Sequence, residues 1–124
     1  MNLLIVDDVP EIREWMAQIL VRAIPGARIA LADGAATFFQ AIERSRPDAV
    51  ILDEVLGIGD DSREVLRKAL SLTQRVILVS GVISPRLVGA ELPAGVLGRL
   101  KKPDWDSGQG EAEFAFALKS LLQA

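Results

Sequence analysis

Apolar residues along this chain follow two rhythms. Short apolar runs at Asn2 to Val6, Ala27 to Leu31, Ala49 to Leu52, Val76 to Val79 and Val96 to Leu100 are rich in Val, Ile and Leu, and predict five strands. Between them the spacing lengthens to a helical period. Ile12, Trp15, Met16, Ile19 and Leu20 recur at i, i+3, i+4, i+7 and i+8, with Arg13, Glu14 and Gln18 opposite and Pro10 in the first turn. Further helices are predicted around Ala35, Phe38, Phe39 and Ile42, and around Val65, Leu66, Ala69 and Leu70. A weaker one is expected around Pro85 to Leu92, and a last one around Phe114, Ala117, Leu118 and Leu121. Turn residues at Pro25, Arg46 and Leu92 punctuate the joins, and no repeat, linker or low-complexity segment interrupts them.

Alternation of strand and helix implies right-handed crossovers, and therefore a parallel sheet with helices on both faces. The expected fold class is α/β, five parallel strands in the flavodoxin-like order 2-1-3-4-5. Such sheets bind ligands outside the carboxyl ends of their strands, where the strand order reverses, here between the first and third strands. Those two strands run straight into acid: Asp7 and Asp8 follow the first, Asp53 and Glu54 the third. Ser80 follows the fourth, and Lys101, Lys102 and Pro103 the fifth, whereas the second offers nothing polar before Asp33. Carboxylates about 4 Å apart repel by roughly 4 kcal/mol at an effective dielectric near 20, so the cluster calls for a cation. An oxygen-only donor set open to solvent suits Mg²⁺, which keeps several waters and accepts phosphate oxygens as partners.

Composition narrows the chemistry. The 124 residues are half hydrophobic and fit one domain spanning 1–124. A net charge of -3 without a long run of one sign gives no footprint for nucleic acid or an anionic membrane. With neither a bilayer-length apolar span nor a basic leader, the expected location is cytoplasmic. The chain contains no Cys and no His, which removes the thiol nucleophile, the usual general base and the usual transition-metal ligands. Carboxylates, hydroxyls and amines are left to do the work.

The segments "LLIVDDVPEIRE", "RPDAVILDEVLGIGD", "VILVSG" and "RLKKP", in this order and at these intervals, resemble the receiver domain of two-component response regulators over essentially the whole chain. The resemblance implies Asp53 as phosphoacceptor, Asp8 as a direct Mg²⁺ ligand with Asp7 assisting through water, and the Val55 carbonyl as a further ligand. It also implies that the Ser80 hydroxyl bonds a phosphoryl oxygen and that Lys102 pairs with the Asp53 carboxylate or phosphoryl group. The implied partners are a histidine kinase or phosphotransfer protein and an unidentified downstream protein, with a homodimer left open. The expected protein is a stand-alone signalling module and not an enzyme, catalysing only its own phosphotransfer and dephosphorylation.

Competing readings assign the same residues duller work. Asp7 or Asp8 would cap the first helix, Asp60 and Asp61 the third, Glu54 would be a solvated neighbour of Asp53, Trp15 a core residue and Trp105 a staple for the last helix. Gly57 and Asp61 stand where the family usually has proline and glycine, and Arg99 stands where it has Tyr or Phe. Alternation along the fifth strand predicts Leu97, Arg99 and Lys101 on one face, with Arg99 at the surface beside Lys101 as a basic contact for an acidic partner. A degenerate, phosphorylation-independent receiver is one alternative. A small Mg²⁺-dependent phosphohydrolase is the other, disfavoured because Val9 and Pro10 occupy the positions where its second aspartate is expected.

Overall fold

In the computed structural model, which describes residues 1–54, 56, 61–81, 92–103 and 110–123, strands and helices alternate as far as the fourth strand. The elements are β1 (Asn2–Val6), α1 (Pro10–Ala23), β2 (Arg28–Ala32), α2 (Ala35–Arg44), β3 (Ala49–Asp53), α3 (Ser62–Leu72), β4 (Val76–Ser80), β5 (Val96–Lys101) and α4 (Glu111–Gln123). All strand pairs are parallel and the sheet order is β2-β1-β3-β4-β5. Residues 82–91, holding nearly all of the weaker helix expected around Pro85 to Leu92, lie outside the described residues, as do Val55, Gly57, Asp60 and Trp105. No helix among the described residues is long and apolar enough to cross a membrane.

Strand side chains alternate between faces, so the sheet feeds two cores. Leu3, Ile5, Ala49, Ile51, Ile77 and Val79 pack against Met16, Ile19 and Leu20 of α1 and Phe114, Leu118 and Leu122 of α4. Leu4, Val6, Val50, Leu52, Val76 and Leu78 pack on the other face against Phe38 of α2 and Val65 and Ala69 of α3. Trp15 belongs to the first core, its ring stacked on Phe114 with centroids 6.3 Å apart. The central strands β1, β3 and β4 are covered on both sides, which is why their sequence is apolar throughout rather than alternating. β2 is different: as an edge strand it leaves Leu31 42% exposed, and it runs one residue later than its apolar run suggests.

β5 departs from simple alternation. Val76 pairs with Val96, but Ile77 pairs with Gly98, so Leu97 is an extra residue on β5, a β-bulge. Leu97 and Leu100 consequently pack toward α4, while Val96 lies against the opposite core and Arg99 pairs with Leu78 of that core's side. The expectation that Leu97 and Arg99 share a face is overturned by this bulge. Gly98 lies close under α4, since a Cβ there would lie 2.9 Å from Leu121 Cδ1. Among the described residues, neither α1 nor α3 carries a carboxylate on its N-cap that makes a side-chain capping bond. Val9 occupies the N-cap of α1, and Asp61, at the N-cap of α3, makes no side-chain capping bond.

Candidate functional site

β1 and β3 are neighbours in register, Val6 opposite Leu52, so the residues that follow them emerge side by side at the carboxyl edge of the sheet. Asp7 continues the line of β1, its N–H donating to the Ala32 carbonyl at 3.1 Å. Its own carbonyl accepts from Arg13 Nη1 at 2.8 Å, and its Oδ1 accepts the Val9 N–H at 2.9 Å. These bonds turn the chain into α1 and fix the carboxylate, which is completely buried. Asp53, the last residue of β3, is 6% exposed, and Asp8 is half-buried. One carboxylate oxygen from each of Asp7, Asp8 and Asp53 lies within 4.8 Å of the others.

A lysine enters this acidic cluster from β5. Lys102 donates its backbone N–H to the Ser80 carbonyl at 2.7 Å, which holds the segment after β5 against the end of β4. From there Nζ reaches 2.7 Å from Asp7 Oδ2 and 3.2 Å from Asp53 Oδ2. Burial works against the Lys102 ammonium, but the close contact with Asp7 and the charges of Asp7 and Asp53 outweigh it and raise its pKa above the ordinary 10.5. One ammonium thus faces three carboxylates. Although it lies at ion-pair distance from Lys102, Asp7 Oδ2 is buried and, among the described residues, has no partner in hydrogen-bond geometry. An oxygen-only donor set with a net negative charge and spare acceptor capacity fits a hard divalent cation such as Mg²⁺.

The structure therefore brings together Asp7, Asp8, Asp53 and Lys102, and puts Ser80, 7% exposed, at the end of the adjoining strand. Lys101, paired in register with Ser80, is exposed. Asp33 is not part of the cluster: its carboxylate accepts from Thr37 Oγ1 at 2.6 Å at the start of α2. The Val55 carbonyl lies outside the described residues.

Arg99 and Glu54 differ from expectation. Arg99 Nε donates to Glu54 Oε1 at 2.6 Å, with both side chains only 14% exposed. Arg99 is thus not a surface contact working beside Lys101, and Glu54 is not a solvated neighbour. The bulge turns Arg99 toward the α3 face, and Glu54, which follows Leu52 of that face by two residues, points to the same side. β4 lies between β3 and β5, so the ion pair spans the sheet over the strand that ends in Ser80. The pairing of Lys102 with Asp7 was likewise missed by sequence reasoning. Its only signal was that Asp7 directly continues a fully apolar strand, which predicts a buried carboxylate in need of a cation.

No family model matches the chain, and no curated protein matches it in sequence. Solved structures do match. The N-terminal domain of a response regulator/sensory box/GGDEF 3-domain protein from Carboxydothermus hydrogenoformans is similar with a TM-score of 0.72 at 16% identity, over 99% of this chain and 94% of that one. A CheY-like response regulator receiver domain protein from Methanospirillum hungatei JF-1 gives 0.69 at 24% identity, over 98% and 96%. A chain in the crystal structure of the P1 domain of CheA3 in complex with CheY6 from R. sphaeroides gives 0.68 at 25% identity, over 99% and 97%. The fold of this chain is receiver-like, five parallel strands in the flavodoxin-like order with helices on both faces.

Proposed function

We propose that residues 1–124 act as a response-regulator receiver that takes a phosphoryl group onto Asp53 from a histidine kinase or phosphotransfer protein and signals by binding another protein. The observation that carries this reading is the convergence of Asp7, Asp8 and Asp53 within 4.8 Å at the strand-order reversal, with Lys102 Nζ 3.2 Å from Asp53. The likeness to a chain from a complex containing a CheA3 P1 domain supports the choice of partner class.

Phosphoryl transfer asks mainly for an in-line nucleophile and fixed positive charge around the equatorial oxygens. Asp53 supplies the carboxylate oxygen that bonds to phosphorus as the phosphorus–nitrogen bond of a phosphohistidine breaks, its electron pair returning to the imidazole. Lys102, already against Asp53, stays beside the new phosphoryl group, and the Ser80 hydroxyl donates to one of its oxygens. Asp8, with Asp7 behind it, would hold Mg²⁺ together with the Val55 carbonyl, and the ion when bound supplies charge neutralisation for donor and product. The product is an acyl phosphate, so hydrolysis resets the signal. The added charge draws on the Ser80 hydroxyl and biases a two-state equilibrium that a partner reads. A cytoplasmic setting suits this chemistry.

Incubation with Mg²⁺ and a small phosphodonor should add one phosphoryl group by intact mass in the wild type and none in Asp53→Asn. The absence of an adduct with every donor and kinase tried would leave a phosphorylation-independent binding module. Uptake of similar extent in Asp53→Asn would place the acceptor elsewhere.

A further inference from the structure

The acidic cluster has a fourth carboxylate next door, and something keeps it out. Glu54 follows Asp53 directly, so the two Cα atoms are about 3.8 Å apart. If its side chain were free at the end of β3, its charge would act on any cation or phosphate bound beside Asp53. Instead the Glu54 N–H donates to the Val79 carbonyl at 3.0 Å and its carboxylate is held by Arg99 at 2.6 Å, on the sheet face opposite Asp53. Both members of the pair are mostly buried, where an ion pair is weakly screened by salt. Removing one partner there leaves a charge that must reorient toward solvent or toward another cation.

We infer that Arg99 is a positioning residue that keeps Glu54, which the strand aims at the α3 face, from swinging round to the Asp7, Asp8 and Asp53 cluster, so that the site presents three carboxylates and one ammonium to its ligands instead of four carboxylates and one ammonium. This deepens the reading of the cluster as a Mg²⁺ and phosphoryl site and rests on it. The pair sets what the site accepts. With Glu54 held back, an anionic phosphodonor meets less repulsion, and Mg²⁺ is held loosely enough to exchange. Without Arg99, Glu54 joins the cluster, Mg²⁺ is held more tightly and the anionic donor is disfavoured.

The test is a set of calorimetric Mg²⁺ titrations at low ionic strength on the wild type, Arg99→Gln, Glu54→Gln, the double variant, Arg99→Lys and Lys101→Gln. A unit charge within about 10 Å of a divalent cation in a water-like dielectric changes its affinity about fourfold. Arg99→Gln should therefore bind Mg²⁺ about fourfold more tightly, or more if Glu54 becomes a ligand. The double variant and Arg99→Lys should return to wild-type affinity. Lys101→Gln removes an exposed charge from the same strand and should have a clearly smaller effect. With a small anionic phosphodonor, the half-saturating concentration should rise in Arg99→Gln by a similar factor and the saturated rate should hold.

The inference is overturned if the double variant keeps the tight Mg²⁺ binding of Arg99→Gln, since Glu54 would then not be what tightens it, or if Lys101→Gln matches Arg99→Gln, since net charge alone would then explain the result. Should the wild type take up no phosphoryl group, the proposed function fails, and the Mg²⁺ titrations still decide the role of Arg99.

Discussion

Replacing Lys102 by Met keeps the apolar stem and removes the ammonium from a pocket in which Asp7 is fully buried and Asp53 nearly so. The contacts at 2.7 Å and 3.2 Å have gross attractions of about 6 and about 5 kcal/mol at an effective dielectric near 20. Desolvation of the ammonium cancels much of that. Breaking a buried pair by removing one partner nevertheless costs about 3–5 kcal/mol, because the other charge is left behind. Here two carboxylates are left facing each other. Urea titration with a chelator present should therefore show Lys102→Met less stable by about 4 kcal/mol, a midpoint lower by about 2 M for a slope near 2 kcal/mol/M. Saturating Mg²⁺ should narrow the gap, because a cation bound only to the folded state adds about 2.7 kcal/mol at a hundredfold excess over its dissociation constant, and the more acidic variant should gain more. A metal-free difference below about 0.5 kcal/mol, the size of an exposed salt bridge, would refute the reasoning. A gap that Mg²⁺ leaves unchanged would remove the cluster as its binding site.

The pH dependence of the same pair has a definite sign: Lys102 has a folded pKa raised above 10.5, so its contribution is complete below that value and is lost as pH climbs through the folded pKa. The stability gap between wild type and Lys102→Met should accordingly stay flat at neutral pH and close only above about pH 10.5. Gly98→Ala sets a Cβ 2.9 Å from Leu121 Cδ1 and should cost about 1–3 kcal/mol in thermal unfolding unless Leu121 rotates away. Phe38→Ala empties a fully buried site between α2 and the sheet and should cost about 3–5 kcal/mol by urea titration, with Mg²⁺ affinity retained.

Much of this molecule is legible in the order of its residues. Apolar runs too short for helices and apolar on both sides could only be covered parallel strands, and the polar residues at their carboxyl ends then had to meet at one edge of the sheet. Strand ends are expected a residue short at Asp53, Ser80 and Lys101, because residues with polar side chains still pair through their backbones in the ladder. What stayed hidden was whatever depends on register or on distant partners. "VLGRL" reads as a short strand, and nothing in it announces that Leu97 is surplus. Arg99 and Glu54 are 45 residues apart, so their pairing follows from the bulge and the strand order rather than from local pattern. Asp61 stands where a cap is expected but forms none, since propensity names the position and not the bond.

The surplus residue in β5 has one more effect, on which of two identical side chains is placed in the site. Adjacent lysines 101 and 102 are chemically equivalent, and parity along the strand decides their fates: one lies in solvent, the other against Asp7 and Asp53. Were Leu97 to pair with Ile77 instead of bulging out, every later residue would fall one place further along the ladder. Gly98 would stand opposite Leu78 in place of Arg99, leaving Glu54 without its cation, and Lys101 would take the station of Lys102 against Asp7 and Asp53. The bulge thus lets β5 carry one residue too many and still bring the right lysine to the acid it must neutralise.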